Sequence, residues 1–364
     1  MAFRRGAVED MGLNGFWRGR RVFLTGQSGF KGAWLSLWLE RLGARVTAVA
    51  LPPQTDPSLY ALAGPWPESH HVADIRDAQA LAAHLRQAEA EIVIHMAAQA
   101  LVRPSYAAPA DTFATNIMGT VNLLDAVRGA DSVRTVLVVT SDKVYANDGA
   151  GHAFAEGEPL GGKDPYSASK ACTELVCESY AHSFLGERGV VLATARAGNV
   201  IGGGDWAEDR LVPDFIRALE CGAPVRLRYP QAVRPWQHVL EPLGGYLAYA
   251  QALTESGGAV SLPTALNFGP RSHDFMTVAE MAEALGRCFG LERAWEQAPG
   301  NWESEAPVLM LESALAADTL GWRARLDRQQ TVDWTVDWYR AHRDGADMRA
   351  FTLRQIAAYE ERVA

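Results

Sequence analysis

The chain is poor in cysteine, holding four in 364 residues. Cys172, Cys177, Cys221 and Cys288 form no CxxC pair and stand in no His-rich stretch with zinc spacing. A disulfide framework and a zinc module are both excluded, no metal is expected, and reduced thiols in a cytoplasmic protein are the natural reading. Positive charge is also scarce, with 34 Lys and Arg against 43 Asp and Glu, a formal net charge of −9. That balance argues against nucleic acid or an acidic membrane surface as a partner, though a local basic pocket can still hold a phosphate. No run approaches the ~18 uninterrupted apolar residues of a membrane span. Met1 to Asp10 is polar and lacks the apolar centre of a signal peptide. There is no internal repeat and no low-complexity tract.

What is present is ordinary for a globular enzyme: 48% hydrophobic and 21% charged residues. Residues 1–18 read as an arm. From there, short apolar runs alternate with helical patterns. "RRVFLTG" (20–26), "ARVTAVAL" (44–51), "HHVADI" (70–75), "EIVIHMAA" (91–98), "RTVLVVTSDKVY" (134–145) and "VVLATARAGNVIG" (190–202) read as six strands. Between them lie helices over 31–43, around "AQALAAHLRQA", over 111–130 and over 167–185. Such alternation predicts an α/β fold, a parallel sheet covered on both faces and doubly wound. After Gly202 the texture becomes loop-rich and short-stranded, with helical patterns at 208–221, 240–256, 277–289, 312–320 and 329–345. Residues 19–202 are therefore expected to form a dinucleotide-binding domain. Residues 203–364 are expected to form mainly a smaller mixed α/β substrate lobe, with segments that return to the first.

Gly26, Gly29 and Gly32 stand three residues apart, after the first strand and at the start of a helix. Glycines there permit a tight turn and let a pyrophosphate approach the helix N-terminus. The spacing is GxxGxxG, and the other reading is a tight turn with no ligand. Asp74 follows the third strand, where an adenine edge could be read. The second strand ends "VALPPQTD", with neither an acid for a ribose hydroxyl nor a nearby base for a 2′-phosphate. NAD is favoured over NADP.

"DPYSASKA" sets Tyr166 and Lys170 four residues apart, on one face of a helix start. An ammonium near a phenol favours tyrosinate and lowers the pKa from about 10. Such a pair can take a hydroxyl proton while hydride leaves the same carbon.

Together these stretches resemble the extended short-chain dehydrogenase/reductase family, whose members share the Rossmann fold and act on nucleotide sugars. The likeness runs over nearly the whole chain: "TGQSGFKG", "DIRD" (74–77), "HMAAQALVRPSY" (95–106), "FATNIMGTVNLLDA" (113–126), "PYSASK" and "RAGNVIGGGDW" (196–206). It implies a cofactor bed of Gly26, Gly29, Phe30, Lys31, Gly32, Asp74, Ile75, Ala97, Tyr166 and Lys170. It also implies substrate contacts from Arg103, Asn116, Asn199 and Arg234, with Arg234 on the diphosphate. Read without the resemblance, Arg234 is a surface cation and Asn199 a turn cap.

"VVTSDKVY" (138–145) selects the reaction. It ends the fifth strand, where open α/β sheets place ligands. By resemblance, Ser141 hydrogen-bonds the substrate's oxidised oxygen, while Asp142 and Lys143 occupy the acid and base positions of nucleotide-sugar 4,6-dehydratases. Most such enzymes carry Asp-Glu there. Ser-Asp-Lys, "GFKGAWLSLWL" and "RPWQHVLEPLGGYLAYA" (234–250) resemble the branch that dehydrates CDP-glucose. Lys143 needs a pKa below its ordinary ~10.4 to act as a base near neutrality. The chain departs from the family near its C-terminal end, with Ser304 in place of a histidine and Glu312 in place of an aspartate. The alternatives are a nucleotide-sugar 4-epimerase, which leaves Asp142 and Lys143 idle, and a non-catalytic dinucleotide-binding sensor. The helices 111–130 and 167–185 are apolar around more than one core-facing stripe. Family members pair them across a two-fold axis, which implies a homodimer.

Overall fold

A computed structural model describes residues 13–258, 261–300, 302 and 306–363. Seven strands form one all-parallel sheet: β1 (Arg21–Thr25), β2 (Arg45–Ala50), β3 (His70–Val72), β4 (Ile92–His95), β5 (Thr135–Val139), β6 (Val191–Ala197) and β7 (Ala265–Phe268). Their order is β7-β6-β5-β4-β1-β2-β3. The chain turns back between β1 and β4, and this reversal opens a crevice at the strands' carboxyl ends. The strand side chains alternate between two cores. Val22, Leu24, Ile92, Ile94, Leu137 and Val139 face one apolar cluster, and Phe23, Val93, Val136 and Val138 face the other.

Local chemistry sets the helix starts that matter for the site. Helix α1 (Phe30–Arg41) leaves the glycine turn with Gly29 as its cap and no side-chain capping bond. Helix α2 (Gly119–Arg128) continues from an expanded turn over Ala114–Met118. Helix α3 (Pro165–Tyr180) begins at Asp164, whose carboxylate accepts from the Ser167 amide at 2.9 Å and the Ser167 hydroxyl at 2.5 Å. Proline at the first helical position needs no amide partner. Tyr166 and Lys170 are thereby held on the first turns. Helix α4 (Leu240–Ser256) packs beneath β5, β6 and β7.

Several sequence expectations change. Residues 265–268 join the sheet as its seventh strand, although their stretch reads as loop. Four residues including a buried Asn267 carry too little periodicity to be seen. Helical structure begins at Val102, before the expected 111, and the C-terminal helix Met348–Val363 was not expected. Within the expected arm, Leu13 and Trp17 are buried in the main core, and residues 1–12 lie outside the described residues. One apolar cluster runs from Leu13 to Tyr359, so segments before and after Gly202 share a core. Beyond the sheet, Val225–Leu227 pairs in parallel with Trp295–Gln297, and Val233–Arg234 pairs antiparallel with Met276–Thr277.

Candidate active site

A cavity of about 890 Å³ extends from the glycine turn, past the ends of β4 and β5, to residues 225–229 and Trp302. Gly26, Gly29 and Gly32 all line it. Two of them answer first to the protein's own backbone. Gly26 has φ +85°, and a Cβ there would sit 2.6 Å from the Ala97 amide nitrogen. A Cβ on Gly32 would sit 1.9 Å from the Gly26 carbonyl. Phe30, Lys31, Asp74, Ile75 and Ala97 line the cavity too. Both Asp74 oxygens accept from the Arg76 guanidinium, at 2.7–3.1 Å, which holds this carboxyl below its usual range.

The triplet forms one tight turn at the end of β5. Ser141 caps it: its hydroxyl accepts from the Lys143 amide at 3.2 Å and donates to Asp142 Oδ1 at 3.0 Å. Asp142 is 2% exposed, and its Oδ2 has no hydrogen-bond partner among the described residues. Burial raises its pKa above the ordinary carboxylate value, against the pull of the Lys143 charge. Lys143 lies beside it, half-buried, on the cavity wall.

Tyr166 and Lys170 face the triplet from α3, both buried. Here the sequence expectation reverses. Burial pushes the phenol up to about 12; the Asp142 charge raises it further, and the Ser141 hydroxyl pulls the other way. Lys170 Nζ donates to the Val139 carbonyl at 3.1 Å, and burial lowers its amine to about 8. Desolvation therefore outweighs the downward pull of the Ser141 hydroxyl and the Arg210 charge on the phenol. A second cavity amine was not singled out for chemistry by the sequence. Lys31 Nζ donates to the Tyr246 hydroxyl at 3.3 Å, and burial together with Lys170 lowers it to about 7.

At the far end, Asp209 joins two arginines, accepting from Arg103 at 2.6 Å and Arg228 at 3.1 Å. Trp302 lies under both guanidinium groups. Asn199 and Arg234 line the cavity, and Arg234 is 4% exposed. Asn116 does not line it. Its amide donates to the Gln99 carbonyl at 3.0 Å and to the Ser169 hydroxyl at 2.8 Å, and its oxygen accepts from the Gln99 amide. These bonds tie Asn116 to α3 and to the loop after β4. Asp209, Arg228, Arg210, Tyr246 and Trp302 were missed, because no short spacing connects them to the loop or the helix. Ser304 lies outside the described residues; Glu312, by contrast, caps the turn into Ala314–Leu320.

A parallel sheet with a glycine turn and a buried Tyr-x-x-x-Lys pair at its carboxyl edge defines a dinucleotide-dependent enzyme acting on a hydroxyl-bearing carbon. The chain belongs to the NAD dependent epimerase/dehydratase family, whose model matches residues 22–262. It is 44% identical over 351 residues to the CDP-glucose 4,6-dehydratase of Salmonella typhimurium, covering 94% of this chain and 97% of that one. Among solved structures it resembles a dTDP-glucose 4,6-dehydratase of Streptomyces venezuelae with NAD bound (24% identity, 90% of this chain and 99% of that one, TM-score 0.76). It resembles as well a UDP-glucose-4-epimerase of Stenotrophomonas maltophila with NAD bound (24% identity, 90% and 100%, TM-score 0.77). Epimerase and dehydratase share this fold, so fold alone does not separate them.

The residues present fit NAD. Gly29, which lines the cavity, carries no side chain and caps α1 without a side-chain bond, and the first amides of a helix have no intrahelical acceptors. Gly26, Gly29, Phe30, Lys31 and Gly32 would hold the pyrophosphate end, and Tyr166 and Lys170 the reacting end.

Proposed function

We propose that this protein is a hydro-lyase that converts CDP-D-glucose to CDP-4-dehydro-6-deoxy-D-glucose and water. The observation that carries the dehydratase reading is Asp142: a buried carboxyl whose pKa burial raises, with one oxygen unpartnered among the described residues, one residue from Ser141. An epimerase needs Tyr166 and Lys170 but has no work for such an acid. The CDP-glucose assignment is supported by the 44% identity over nearly the full chain.

Bound NAD would supply the two-electron chemistry, taking hydride from C4 and giving it back at C6, so that no oxidant is consumed. The chain's own groups manage the protons. Tyr166 takes the C4 hydroxyl proton, with Ser141 hydrogen-bonded to that oxygen and Lys170 offsetting the phenolate charge. The resulting C4 ketone acidifies the C5 proton, which Lys143 removes and gives back to C5 once hydride has reached C6. Asp142 protonates the departing C6 hydroxyl, which leaves as water. Arg234, Arg103 and Asn199 hold the nucleotide end. The test offers CDP-, dTDP-, GDP- and UDP-glucose with NAD and reads product mass. Loss of one water from the CDP sugar is expected. A product of unchanged mass supports the epimerase instead, and no turnover on any sugar supports the sensor.

The protein acts as a homodimer in the cytoplasm. Its four cysteines are free thiols, and no described helix is long and apolar enough to cross a membrane. Of six exposed large hydrophobic residues among those described, Tyr106, Met118, Leu175 and Phe184 lie on the helical segments around α2 and α3. Exposed apolar residues on these helical segments support the pairing, since a two-fold contact is the usual route to a dimer. Light scattering at micromolar concentration is expected to give twice the chain mass; the mass of a single chain overturns the dimer.

A further inference from the structure

Behind the catalytic residues lies a buried ion pair that the reaction as written does not use. Glu174 is on α3, one turn beyond Lys170 and two beyond Tyr166, so all three share a face. Arg196 is on β6. The two are 5% and 4% exposed. Arg196 meets the carboxylate with two nitrogens, Nε to Oε1 at 2.9 Å and Nη2 to Oε2 at 3.0 Å. Each remaining bond of the pair has a direction. Glu174 Oε1 also accepts from the Thr140 hydroxyl at 2.5 Å, and Oε2 from the Thr194 hydroxyl at 2.6 Å. Arg196 Nη1 donates to the Tyr145 hydroxyl at 2.8 Å and to the Glu156 carbonyl at 3.1 Å. The Tyr145 hydroxyl in turn donates to Asn267 Oδ1 on β7 at 2.7 Å.

Thr140 directly precedes Ser141, and Tyr145 is two residues after Lys143. The pair therefore grips the chain immediately before and after the reacting triplet, from the helix that carries Tyr166 and Lys170. Backbone bonds from Gly161 to Val144 and from Ala146 to Pro159 hold the same turn, but they tie it to a neighbouring loop rather than to α3. A buried ion pair is a weak source of net stability, since desolvation offsets the attraction. Fixing direction is what this arrangement can do that apolar side chains of the same volume cannot.

We infer that Glu174 and Arg196 are positioning residues for the dehydration step, locking the Ser141-Asp142-Lys143 turn to the helix bearing Tyr166 and Lys170. The inference rests on the dehydratase reading above. Neither residue touches the reacting atoms. They fix the distance between the group that opens the reaction at C4 and the groups that complete it at C5 and C6. A misplacement of ~1 Å in such an arrangement costs up to ~10² in rate.

The test removes one hydroxyl at each end and leaves the ion pair itself whole. Tyr145→Phe frees the end after Lys143, and Thr140→Val frees the end before Ser141 with little change of volume. Each variant is expected to lower kcat on CDP-glucose by ~10–10², with KM changed by no more than about twofold. Exchange of the C5 proton with solvent deuterium should fall along with kcat. The single-turnover absorbance change that reports oxidation at C4 should survive, because Tyr166 and Lys170 stay on their helix. Loss of folded protein alone would lower every step equally, and a thermal unfolding curve measures that fraction. Parent-like kcat and exchange in both variants, or a uniform loss matching the unfolded fraction, overturns the inference. If Tyr145→Phe does not fold, Thr140→Val decides alone. The parent enzyme is run beside them: if it releases no water from CDP-glucose, the dehydratase reading fails and the inference falls with it.

Discussion

Tyr166→Phe is expected to lower turnover by the ~10²–10⁴ typical of a lost, positioned acid or base. The loss should fall at the first step, oxidation at C4, so no reduced-cofactor absorbance should appear on mixing with CDP-glucose. NAD binding should stay close to that of the parent. Its pyrophosphate bed is the glycine turn and the first turn of α1, and the phenylalanine ring keeps the packing of the buried tyrosine. The physical demand on this residue is severe. Burial holds its phenol near 12, so the neutral form dominates near neutrality until charge in the site changes. The Ser141 hydroxyl and the Arg210 charge pull the phenol downward, while Lys170, its amine near 8, stands one turn along α3 with its Nζ at the Val139 carbonyl. Near-normal turnover in the variant would remove Tyr166 from the mechanism.

Asp142→Asn is expected to leave C4 oxidation intact and slow water loss from C6 by ~10²–10⁴. Asparagine keeps the shape but has no proton to give. The carboxyl it replaces is buried, and its free Oδ2 sits 3.1 Å from where a Cβ on Gly198 would stand. Even one added methyl at Gly198 would crowd it. Lys143→Met is expected to fail one stage earlier, exchanging the C5 proton with solvent deuterium poorly while Asp142→Asn still exchanges it. If elimination is concerted, both variants lose exchange together. Exchange that persists at the parent rate in Lys143→Met moves the base elsewhere in the cavity, where Lys31, lowered to about 7, is the nearest candidate by pKa. Formation of the 4-keto-6-deoxy product at the parent rate by both variants would leave the triplet a solvated turn with no part in dehydration.

These expectations divide according to where their information lies. The glycine turn, the Tyr166–Lys170 spacing and the adjacency of Ser141, Asp142 and Lys143 are local. Each is a matter of a few consecutive residues whose geometry a strand end or a helix turn fixes, so they are legible in the sequence. The first six strands are legible for the same reason, since apolar runs between helical patterns leave a period that survives without the fold. The glycines themselves were only half explained this way. Gly26 and Gly32 lack side chains because the backbone of Ala97 and of Gly26 occupies that space, and Ala97 lies 71 residues further along the chain than Gly26.

What required the folded chain is whatever depends on burial or on distant partners. The short β7 is a strand because β6 lies beside it, not because four residues demand it. Asn116 is drawn to Gln99 and Ser169 and away from the cavity. Arg103, Arg228 and Trp302 meet around Asp209 only when segments far apart in the chain are packed together. The sign of the Tyr166 shift reversed for a related reason: spacing reveals a neighbouring cation, but desolvation depends on everything that covers the phenol. The sequence by itself determined the fold class, the cofactor turn and which residues stand next to one another at the end of β5. The tertiary structure alone decided the burial of Asp142 and the grip of Glu174 and Arg196 on the catalytic turn, because removal from water and contact across the chain are properties of no short segment.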